Sequence, residues 1–566
     1  MYSAGTCSCL APPSSGAQGL GRSLGLTGAS ERSPAVAMWR KSLAVLLRRA
    51  PLPLLGSGGC RGGPSRRRLW GLGGGLGLAL GLAAAAAAAV PAEEEQQQQQ
   101  REGLALRRRR KDFSRAVESS RDLLLRVKDE VGTPGIVVGV SVDGKEVWSE
   151  GLGYADVENR VLCKPDTVMR IASISKSLTM VAAAKLWEEG KLDFDAPVQK
   201  YVPEFPEKEF EGKKVIITTR LLASHLSGIR HYEKDIAKVK EEKEKINRAL
   251  NSGKDAPKSE QREKEDKGSE KSESAKTKHK DRNSKAGKNK IEFEHEEYCL
   301  KEKFDNVIDS LNMFKNDPLF FKPGSQYLYS THGFTLLSAV VERASGHKFT
   351  DYMLKMFRDL DMLATGLDDN EPLIYNRSRY YIHNKKGHLV NAPYVDNSYK
   401  WAGGGFVSTV GDLVKFGNAM LYGYQLGQLE NLPTSLLPGY LKPSTIAMMW
   451  TPVPQTDLPG SRSDKYGMAW RVMEKKQECG FCRQERYCAT HSGRAVGASS
   501  VLLILPEEGA LEAPKGSPQV PPQGVVVSII CNMQAVSLLS TALNIAMEFE
   551  KDKLAQNADK NSSSQD

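Results

Sequence analysis

The chain has 566 residues, of which 40% are hydrophobic, and a formal net charge of +11. The positive charge is concentrated near the N-terminus and in one lysine-rich run, and no nucleic-acid-binding motif accompanies it, which argues against a nucleic-acid partner. Nine cysteines in a chain of this length do not indicate a disulfide framework.

Residues 1–111 are predicted to form a targeting leader. The stretch from Met38 to Ala92 contains basic but no acidic residues, which is typical of a mitochondrial targeting segment, and Met38 is itself a candidate start residue. An apolar run at 69–92, rich in Gly and Ala, is long enough to span a bilayer. A basic presequence followed by such a run predicts delivery to the intermembrane space and contact with the inner membrane. The alternative is a low-complexity leader without a membrane role.

The folded region is predicted to begin near Asp112. Residues 113–131 carry apolar side chains at helical spacing, and two strands at 135–153 are joined at Asp143-Gly144, a hairpin pair. Two further strand-like runs, ASSVLLILPEE and GVVVSIICNM, precede a final helix at about 535–551. Strands at both ends with helices between them predict an α+β fold, in which both chain ends build one antiparallel sheet beside a mainly helical region.

Residues 233–290 interrupt this pattern, so the predicted catalytic domain comprises 112–232 and 291–551. The interrupting segment is dense in Lys and Glu and has almost no large apolar residue after Ile246. It cannot bury enough surface to offset its ordering entropy, and it is predicted to be a disordered insertion in a surface loop. The alternative is a basic tether for anionic lipid or for a partner. The tail, 552–566, is also predicted to be disordered.

The stretch IASISKSLTM, residues 171–180, places Ser173 one helical turn before Lys176 among small and apolar residues. Apolar residues recur at helical spacing as far as Gly190, which fits a helix C-cap. The positive helix N-terminus and burial both disfavour a charged lysine, and a neutral amine beside a hydroxyl activates a nucleophile. Ser173 is therefore the candidate nucleophile, and Lys176 is its candidate general base.

A second S-x-x-K occurs at Ser345 and Lys348, where Gly346 marks a helix end, so its serine and lysine need not share a face. Two other segments favour Ser173. Tyr329, followed by Ser330 and Thr331, precedes an amphipathic helix and is a candidate second base or proton shuttle; the alternative is a core aromatic residue.

His491, Ser492 and Gly493 directly precede a C-terminal strand. A strand edge of small residues lets a substrate backbone lie alongside it, and the N–H of Arg494 would be an oxyanion donor together with the N–H groups at the helix end. The alternative is that His491 is a turn residue.

Cys479 and Cys482 form a C-x-x-C, with Cys488 and His491 nearby. The resulting order, C-x2-C-x5-C-x2-H, matches no known zinc site, so loop thiols are predicted in preference to a metal centre.

Taken together, the three motifs resemble those of the serine β-lactamase and penicillin-binding-protein family, in its class C and D-peptidase/esterase-like branch. Ser173 and Lys176 match its S-x-x-K, and Tyr329 to Thr331 match its Y-x-N. His491 to Gly493 match its K-T-G or H-x-G. The segments LLASHLSGI (221–229) and WAGGGFVSTVGDLVKF (401–416) resemble its H-T-S-G and Gly-rich turns. The match covers roughly residues 115–550.

The resemblance implies a β-lactamase/transpeptidase-like fold and a hydrolase, peptidase or esterase, that works through an acyl-enzyme on Ser173 without a cofactor. Lys176 would be the base and Tyr329 would assist proton transfer. The N–H groups of Ser173 and Arg494 would form the oxyanion hole, and His491 and Gly493 would line the substrate strand.

One residue departs from the family pattern. Thr331 stands where the family usually has Asn, whose amide can hold both the lysine and the substrate amide. This weakens the case for substrate-amide binding and favours ester or unusual peptide substrates. With the leader, the resemblance also implies a role in mitochondrial lipid metabolism and assembly into filaments of one protein. The alternative function is a filament-forming scaffold with residual catalysis.

Overall fold

The computed structural model describes residues 113–251, 296–429, 436–458, 464–473, 486–507 and 521–562. The α-helices in these ranges are α1 (Ser114–Val131), α2 (Ile174–Glu188), α3 (Thr219–Ala223), α4 (Ile236–Asn251), α5 (Val307–Ser310), α6 (Thr331–Ser345), α7 (Phe349–Asp359), α8 (Trp401–Gly404), α9 (Val410–Leu426), α10 (Pro443–Met449) and α11 (Leu539–Ser562). Short 3-10 helices lie at Val198–Lys200, Glu296–Cys299, Leu311–Met313 and Ser398–Lys400.

The strands are β1 (Gly135–Val142), β2 (Lys145–Asp156), β3 (Val161–Leu162), β4 (Met169–Arg170), β5 (Lys208–Phe210), β6 (Lys213–Val215), β7 (Gly366–Leu367), β8 (Tyr381–His383), β9 (Leu389–Asn391), β10 (Phe406–Ser408), β11 (Asp464–Tyr466), β12 (Arg471–Met473), β13 (Cys488–Ala495), β14 (Ala498–Pro506) and β15 (Gly524–Cys531).

The main sheet has eight antiparallel strands in the order β11-β12-β13-β14-β15-β1-β2-β3. Strand β1, near the start of the described chain, pairs with β15, near its end, from Ile136 opposite Cys531 to Val142 opposite Val525. The prediction of an α+β fold with one sheet built from both chain ends is confirmed.

The first hairpin has a local cause. Asp143 and Gly144, between β1 and β2, have φ angles of 51° and 75°. A two-residue hairpin of this type needs positive φ at both positions, which Asp tolerates and Gly adopts without strain. The pair therefore sets the register in which Val142 lies opposite Lys145.

Helices cover both faces of the central strands, and every residue of β1, β14 and β15 is accordingly buried. On one face, α1 and α11 pack with the sheet in a single apolar cluster, where the rings of Phe113 and Phe549 lie 5.8 Å apart. On the other face, α9 packs closely against the sheet at Gly417. A side chain at this position would meet Val526 at 2.5 Å, so the close approach requires glycine. The remaining helices, including α2, α6 and α8, form the mainly helical region beside this sheet.

Two segments differ from the expected disorder. Helix α4 occupies residues 236–251 of the predicted insertion, and an i,i+4 ion pair joins Glu241 to Lys245 on it. Helix α11 continues to Ser562, beyond the predicted end at 551. The Asp552 carboxylate accepts a hydrogen bond from the Ala116 backbone at 2.9 Å, so packing on α1 orders the start of the predicted tail.

The predicted leader and residues 252–290 of the insertion lie outside the described residues. Within the described ranges, no helix is both long and apolar enough to cross a membrane.

Candidate active site

Ser173 lies directly before α2, as its spacing predicted. A serine in this position commonly caps the helix with its hydroxyl, but the Ser173 side chain makes no capping hydrogen bond. Its Oγ instead lies 3.2 Å from Lys176 Nζ. The preceding residue, Ala172, has a φ of 47°, a strained left-handed conformation that turns the chain sharply into the helix. The hydroxyl therefore points at the amine of Lys176 and not at the backbone N–H groups of α2.

Lys176 is fully buried, with 0% of its surface exposed. Its Nζ lies 2.5 Å from the carbonyl oxygen of Gly403 and 3.5 Å from Thr331 Oγ1, and it lies over the ring of Tyr329, 4.6 Å from the centroid. These contacts aim the amine at the Ser173 hydroxyl. A group held this close to a hydroxyl can exchange a proton with it directly.

The second motif lies at the N-terminus of α6, so two helix N-termini converge on Lys176. Ser330 is the N-cap of α6: its Oγ accepts from the Gly333 N–H at 3.0 Å and donates to the Arg230 carbonyl at 2.7 Å. This double anchor holds its neighbours, Tyr329 and Thr331, against the amine. The structure thus brings Tyr329 to the site, and its role in proton transfer remains a prediction.

The third motif lies on β13, and a close approach links it to Ser173. A side chain at Gly493 would meet the Ile171 carbonyl oxygen at 2.4 Å and Ala172 Cβ at 3.0 Å. Glycine is required there because the strand touches the turn that carries the nucleophile. Ser500, on β14, donates to the same Ile171 carbonyl at 2.7 Å and anchors that turn to the sheet.

The backbone of Arg494 faces the edge of β13 away from β14. Strands β13 and β14 are joined by two residues, Val496 and Gly497, so Ala495 and Ala498 form a hydrogen-bonded pair. Pairs of this kind alternate along antiparallel strands, so the backbone groups of Arg494 point to the opposite side. Strand β12 covers that side only as far as Thr490, opposite Arg471. The N–H of Arg494 therefore points away from β14, and its role as an oxyanion donor remains a prediction.

His491 is held as a neutral ring by two contacts. Its Nδ1 lies 2.9 Å from the Ser492 carbonyl oxygen, which can only accept, so Nδ1 carries the proton. Its Nε2 then accepts from the Tyr466 hydroxyl at 2.8 Å. Burial lowers the pKa of His491 to about 3. His491 is unsuited to act as a base, since its Nε2 lone pair accepts from Tyr466, and its part in lining a substrate strand remains a prediction.

Two histidines that sequence reasoning did not assign hold the second motif in place. His225 Nδ1 accepts from the Ser330 N–H at 3.1 Å, and His231 Nδ1 accepts from the Thr331 N–H at 3.2 Å. Burial lowers the pKa of His225 well below its usual value. The turn 221–229 was matched to the family by its residue pattern. That pattern does not show that His225 accepts a hydrogen bond from the backbone of Ser330, which lies about a hundred residues later in the chain.

The Gly-rich turn supplies a further residue that the sequence did not single out. Gly403 provides the carbonyl that holds Lys176, and a side chain at Gly403 would meet Thr331 Cγ2 at 2.6 Å. Glycine is therefore needed for α8 to approach both α2 and α6. The Thr179 hydroxyl donates to the neighbouring Ala402 carbonyl at 3.1 Å and strengthens this contact.

The second S-x-x-K is not a site. Ser345 ends α6, Gly346 follows with a φ of 70°, and Lys348 precedes the next helix. The Ser345 hydroxyl donates to the Glu342 carbonyl at 3.1 Å, which is a local helix-end contact.

The predicted loop thiols Cys479 and Cys482 lie outside the described residues. Cys488 is buried, with its Sγ 3.3 Å from Met473 Sδ. Across the ranges that the structure describes, no group of three or more His, Cys, Asp or Glu side chains is placed to hold a metal ion.

Comparison with known proteins agrees with this geometry. The family model named Beta-lactamase matches residues 121–542. The chain is 68% identical over 447 residues to the human protein named serine beta-lactamase-like protein LACTB, mitochondrial, covering 78% of this chain and 81% of that protein. It is 67% identical over 452 residues to the mouse protein of the same name, covering 78% and 82%.

The fold also matches a solved structure, described as a class C beta-lactamase. The TM-score is 0.50 at 15% identity, and the match covers 78% of this chain and 97% of the other. At this identity the likeness concerns the fold alone. The family model and the two animal relatives extend over most of the chain, and they show that it belongs to the beta-lactamase family.

Proposed function

We propose that the chain is a serine hydrolase that transfers the acyl group of an ester or amide to Ser173 and then to water. The observation that carries this proposal is the 3.2 Å contact between Ser173 Oγ and Nζ of the fully buried Lys176 at the start of α2. Membership of the beta-lactamase family supports the same reaction class.

In the acylation step, Ser173 Oγ attacks the substrate carbonyl carbon while its proton passes to the neutral amine of Lys176. The carbonyl oxygen becomes an oxyanion, which the N–H groups of Ser173 and Arg494 would stabilise. The proton then passes to the leaving group, directly or through Tyr329, the bond to the leaving group breaks, and an ester on Ser173 remains.

In the deacylation step, water attacks the Ser173 ester and gives a proton to the same basic cluster. The second tetrahedral intermediate collapses, the acid leaves, and Ser173 regains its proton. The lowered pKa values of His225 and His491 keep both rings neutral. Neither ring therefore carries a positive charge that would draw the oxyanion away from the two N–H groups.

Thr331 favours ester over amide substrates. Its Oγ1 lies 3.5 Å from Lys176 Nζ, a long contact, and a hydroxyl has no NH2 group to donate to a substrate amide. Peptide cleavage would thus lack a donor that the family's Asn supplies. Ester cleavage is compatible with the role in mitochondrial lipid metabolism that the resemblance implies.

The proposed location is the mitochondrial intermembrane space. Two animal relatives carry the word mitochondrial in their names, and the basic, acid-free stretch from Met38 supports import. The apolar run at 69–92 would arrest in the inner membrane and leave the catalytic domain on its outer side.

Active-site labelling tests the chemistry. A fluorophosphonate probe should label the wild-type protein and should fail to label Ser173→Ala. The matched control is Ser345→Ala, which removes the serine of the other S-x-x-K and should label like the wild type. Equal labelling of Ser173→Ala and wild type would overturn the assignment.

A scaffold of identical subunits is the second candidate, and one surface favours it. Leu373 and Tyr375 are 91% and 86% exposed, beside a cavity of about 730 Å³ that Leu363 also lines. Large apolar side chains exposed together commonly mark an interface. Sedimentation of wild type and Leu373→Glu tests this: self-association that Leu373→Glu weakens supports the scaffold, and a wild-type monomer at all concentrations contradicts it.

A further inference from the structure

Two consecutive residues, Arg230 and His231, hold the second motif from one side. The carbonyl oxygen of Arg230 accepts from Ser330 Oγ at 2.7 Å. The ring of His231 accepts from the Thr331 N–H at 3.2 Å. Thr331 Oγ1 in turn lies 3.5 Å from Lys176 Nζ. The position of residues 230 and 231 therefore sets how closely the second motif approaches the buried amine.

The side chain of Arg230 is bonded at every one of its donors. It is 1% exposed, and Glu297 accepts from both terminal nitrogens, at 2.7 and 3.0 Å, while Asp317 accepts from Nε at 2.5 Å. The carbonyl oxygens of His231 and Met313 accept the two remaining N–H groups, at 2.8 and 3.1 Å. A guanidinium has five N–H donors in a fixed plane, so these partners leave it no freedom to turn. The backbone carbonyl of the same residue is held in place as a result.

The Glu297 carboxylate has two further partners. His332 directly follows Thr331 on α6, and its Nε2 lies 3.0 Å from Glu297 Oε2. An ionised carboxylate can only accept, so Nε2 carries the proton, and burial lowers the pKa of His332 to about 4, which keeps the ring neutral. Lys234, at the start of the charged insertion, pairs with Glu297 Oε1 at 3.0 Å. Glu297 thus reaches the second motif by two routes, through Arg230 and through His332.

The short helix that carries Glu297, Glu296–Cys299, is also tied to the other parts of the site. The Tyr298 hydroxyl donates to the Arg494 carbonyl on β13 at 3.1 Å. The Tyr298 carbonyl accepts at 3.1 Å from Lys400, which directly precedes α8. The helix is therefore fixed independently of Arg230, and Glu297 is a firm point against which the arginine can be held.

We propose that Glu297, together with Asp317, positions the second motif against the amine of Lys176 by fixing Arg230. This inference rests on the proposed hydrolase function and adds to it a residue that none of the three motifs includes. The carboxylate acts through Arg230 and not on the reacting atoms, so Glu297 is a positioning residue. A displacement of about 1 Å at a reacting group can cost about 10²-fold in rate, so loss of the Glu297 charge should slow the chemical step.

The test is fluorophosphonate labelling of the full chain, with the rate constant and the final labelled fraction measured separately. Glu297→Gln keeps the shape of the side chain and removes its charge. Its labelling rate constant should fall about 10- to 100-fold. A merely structural role would reduce the folded fraction, and with it the final labelled fraction, but the folded molecules would label at the wild-type rate constant.

The matched control is Glu550→Gln on α11. Glu550 also binds an arginine at two points, with Arg486 at 2.8 and 2.7 Å, and its side chain is 14% exposed compared with 15% for Glu297. It lies on a helix that packs with α1 against the central sheet. Loss of either carboxylate leaves a buried arginine with less compensation, so both variants should lose stability. Only Glu297→Gln should lose labelling rate.

Asp317→Asn is a second, milder variant, because the Asp317 side chain is 35% exposed and Glu297 stays in place. It should slow labelling by a smaller factor, and it decides the question if Glu297→Gln does not fold. If labelling depends on Ser173 and the folded variants label at the rate of Glu550→Gln, the positioning inference is wrong while the hydrolase proposal stands. If Ser173→Ala labels as fast as wild type, the hydrolase proposal fails and the inference fails with it.

Discussion

Replacing Lys176 by Met tests the proton-transfer role of the buried amine. Met is a flexible apolar chain of similar length, so it can fill the space of the lysine methylenes and should leave the core packed. Only the amine is lost, together with its contacts to Ser173 Oγ and to the Gly403 carbonyl at 2.5 Å. Lys176→Ala would also remove the methylenes and leave a cavity. A loss of activity in that variant could then come from a loss of stability as well as from the missing amine.

The expected magnitude follows from these contacts. A positioned general base typically contributes about 10²–10⁴-fold to a rate, which is roughly 3–5 kcal/mol of activation free energy. For stability, the Gly403 carbonyl loses its buried donor, which costs about 1–3 kcal/mol, while removal of the amine relieves its own desolvation. Acylation should therefore fall much more than the free energy of unfolding.

The assay is the rate constant for fluorophosphonate labelling, measured with the denaturant midpoint of the same samples. Lys176→Met should label about 10²–10⁴-fold more slowly than wild type with a folded baseline. Lys176→Arg should not restore the rate, because a guanidinium stays protonated. A labelling rate for Lys176→Met within threefold of wild type would refute the base assignment.

Three further predictions follow from the same structure. The folded-state pKa of His491, about 3, lies below its unfolded value, so the protein loses stability as the pH falls from about 6.5 towards 3. Between pH 7.5 and 5, His491 alone accounts for a loss of about 2 kcal/mol in the free energy of unfolding, so His491→Gln should lose less stability than the wild type in urea titrations at the two pH values. Replacing 233–290 by a short Gly/Ser linker should leave Tm nearly unchanged, because Tyr232 and Glu297 are retained and loop length costs little entropy; a large drop would show that the segment packs. N-terminal sequencing of the mitochondrial form should find a start between about residues 90 and 115, ahead of α1, and protease should reach the domain in mitoplasts; a domain that is resistant after rupture of the outer membrane would place it in the matrix.

Local patterns in the sequence were sufficient to predict several of the elements. The helical spacing at 113–131, the turn at Asp143-Gly144 and the apolar runs of the C-terminal strands each depend on neighbouring residues, and each was found in the structure. The pairing of Ser173 with Lys176 was predictable for the same reason, since three residues along a helix span one turn of a single face.

The last helix extends beyond its predicted end because that end was predicted from composition and not from contacts. Residues 552–562 are polar enough to read as a tail, but Asp552 and Lys553 are buried against partners hundreds of residues earlier in the chain: Asp552 binds Ala116, and Lys553 binds Asp143 at 2.5 Å. A charged side chain can be ordered when it pairs with an opposite charge or with a backbone N–H group. The composition of a segment does not show whether such a partner exists.

The sequence by itself determined several elements and the pairing of the candidate nucleophile Ser173 with the candidate base Lys176, because periodicity and turn chemistry act over a few residues. Only the tertiary structure decided what surrounds them: the Gly403 carbonyl on Lys176, the His225 ring on the second motif and the Tyr298 hydroxyl on Arg494. Each of these contacts joins residues more than a hundred positions apart. Such pairs meet only when the sheet closes between the two chain ends and the helices pack beside it, and no local pattern encodes that approach.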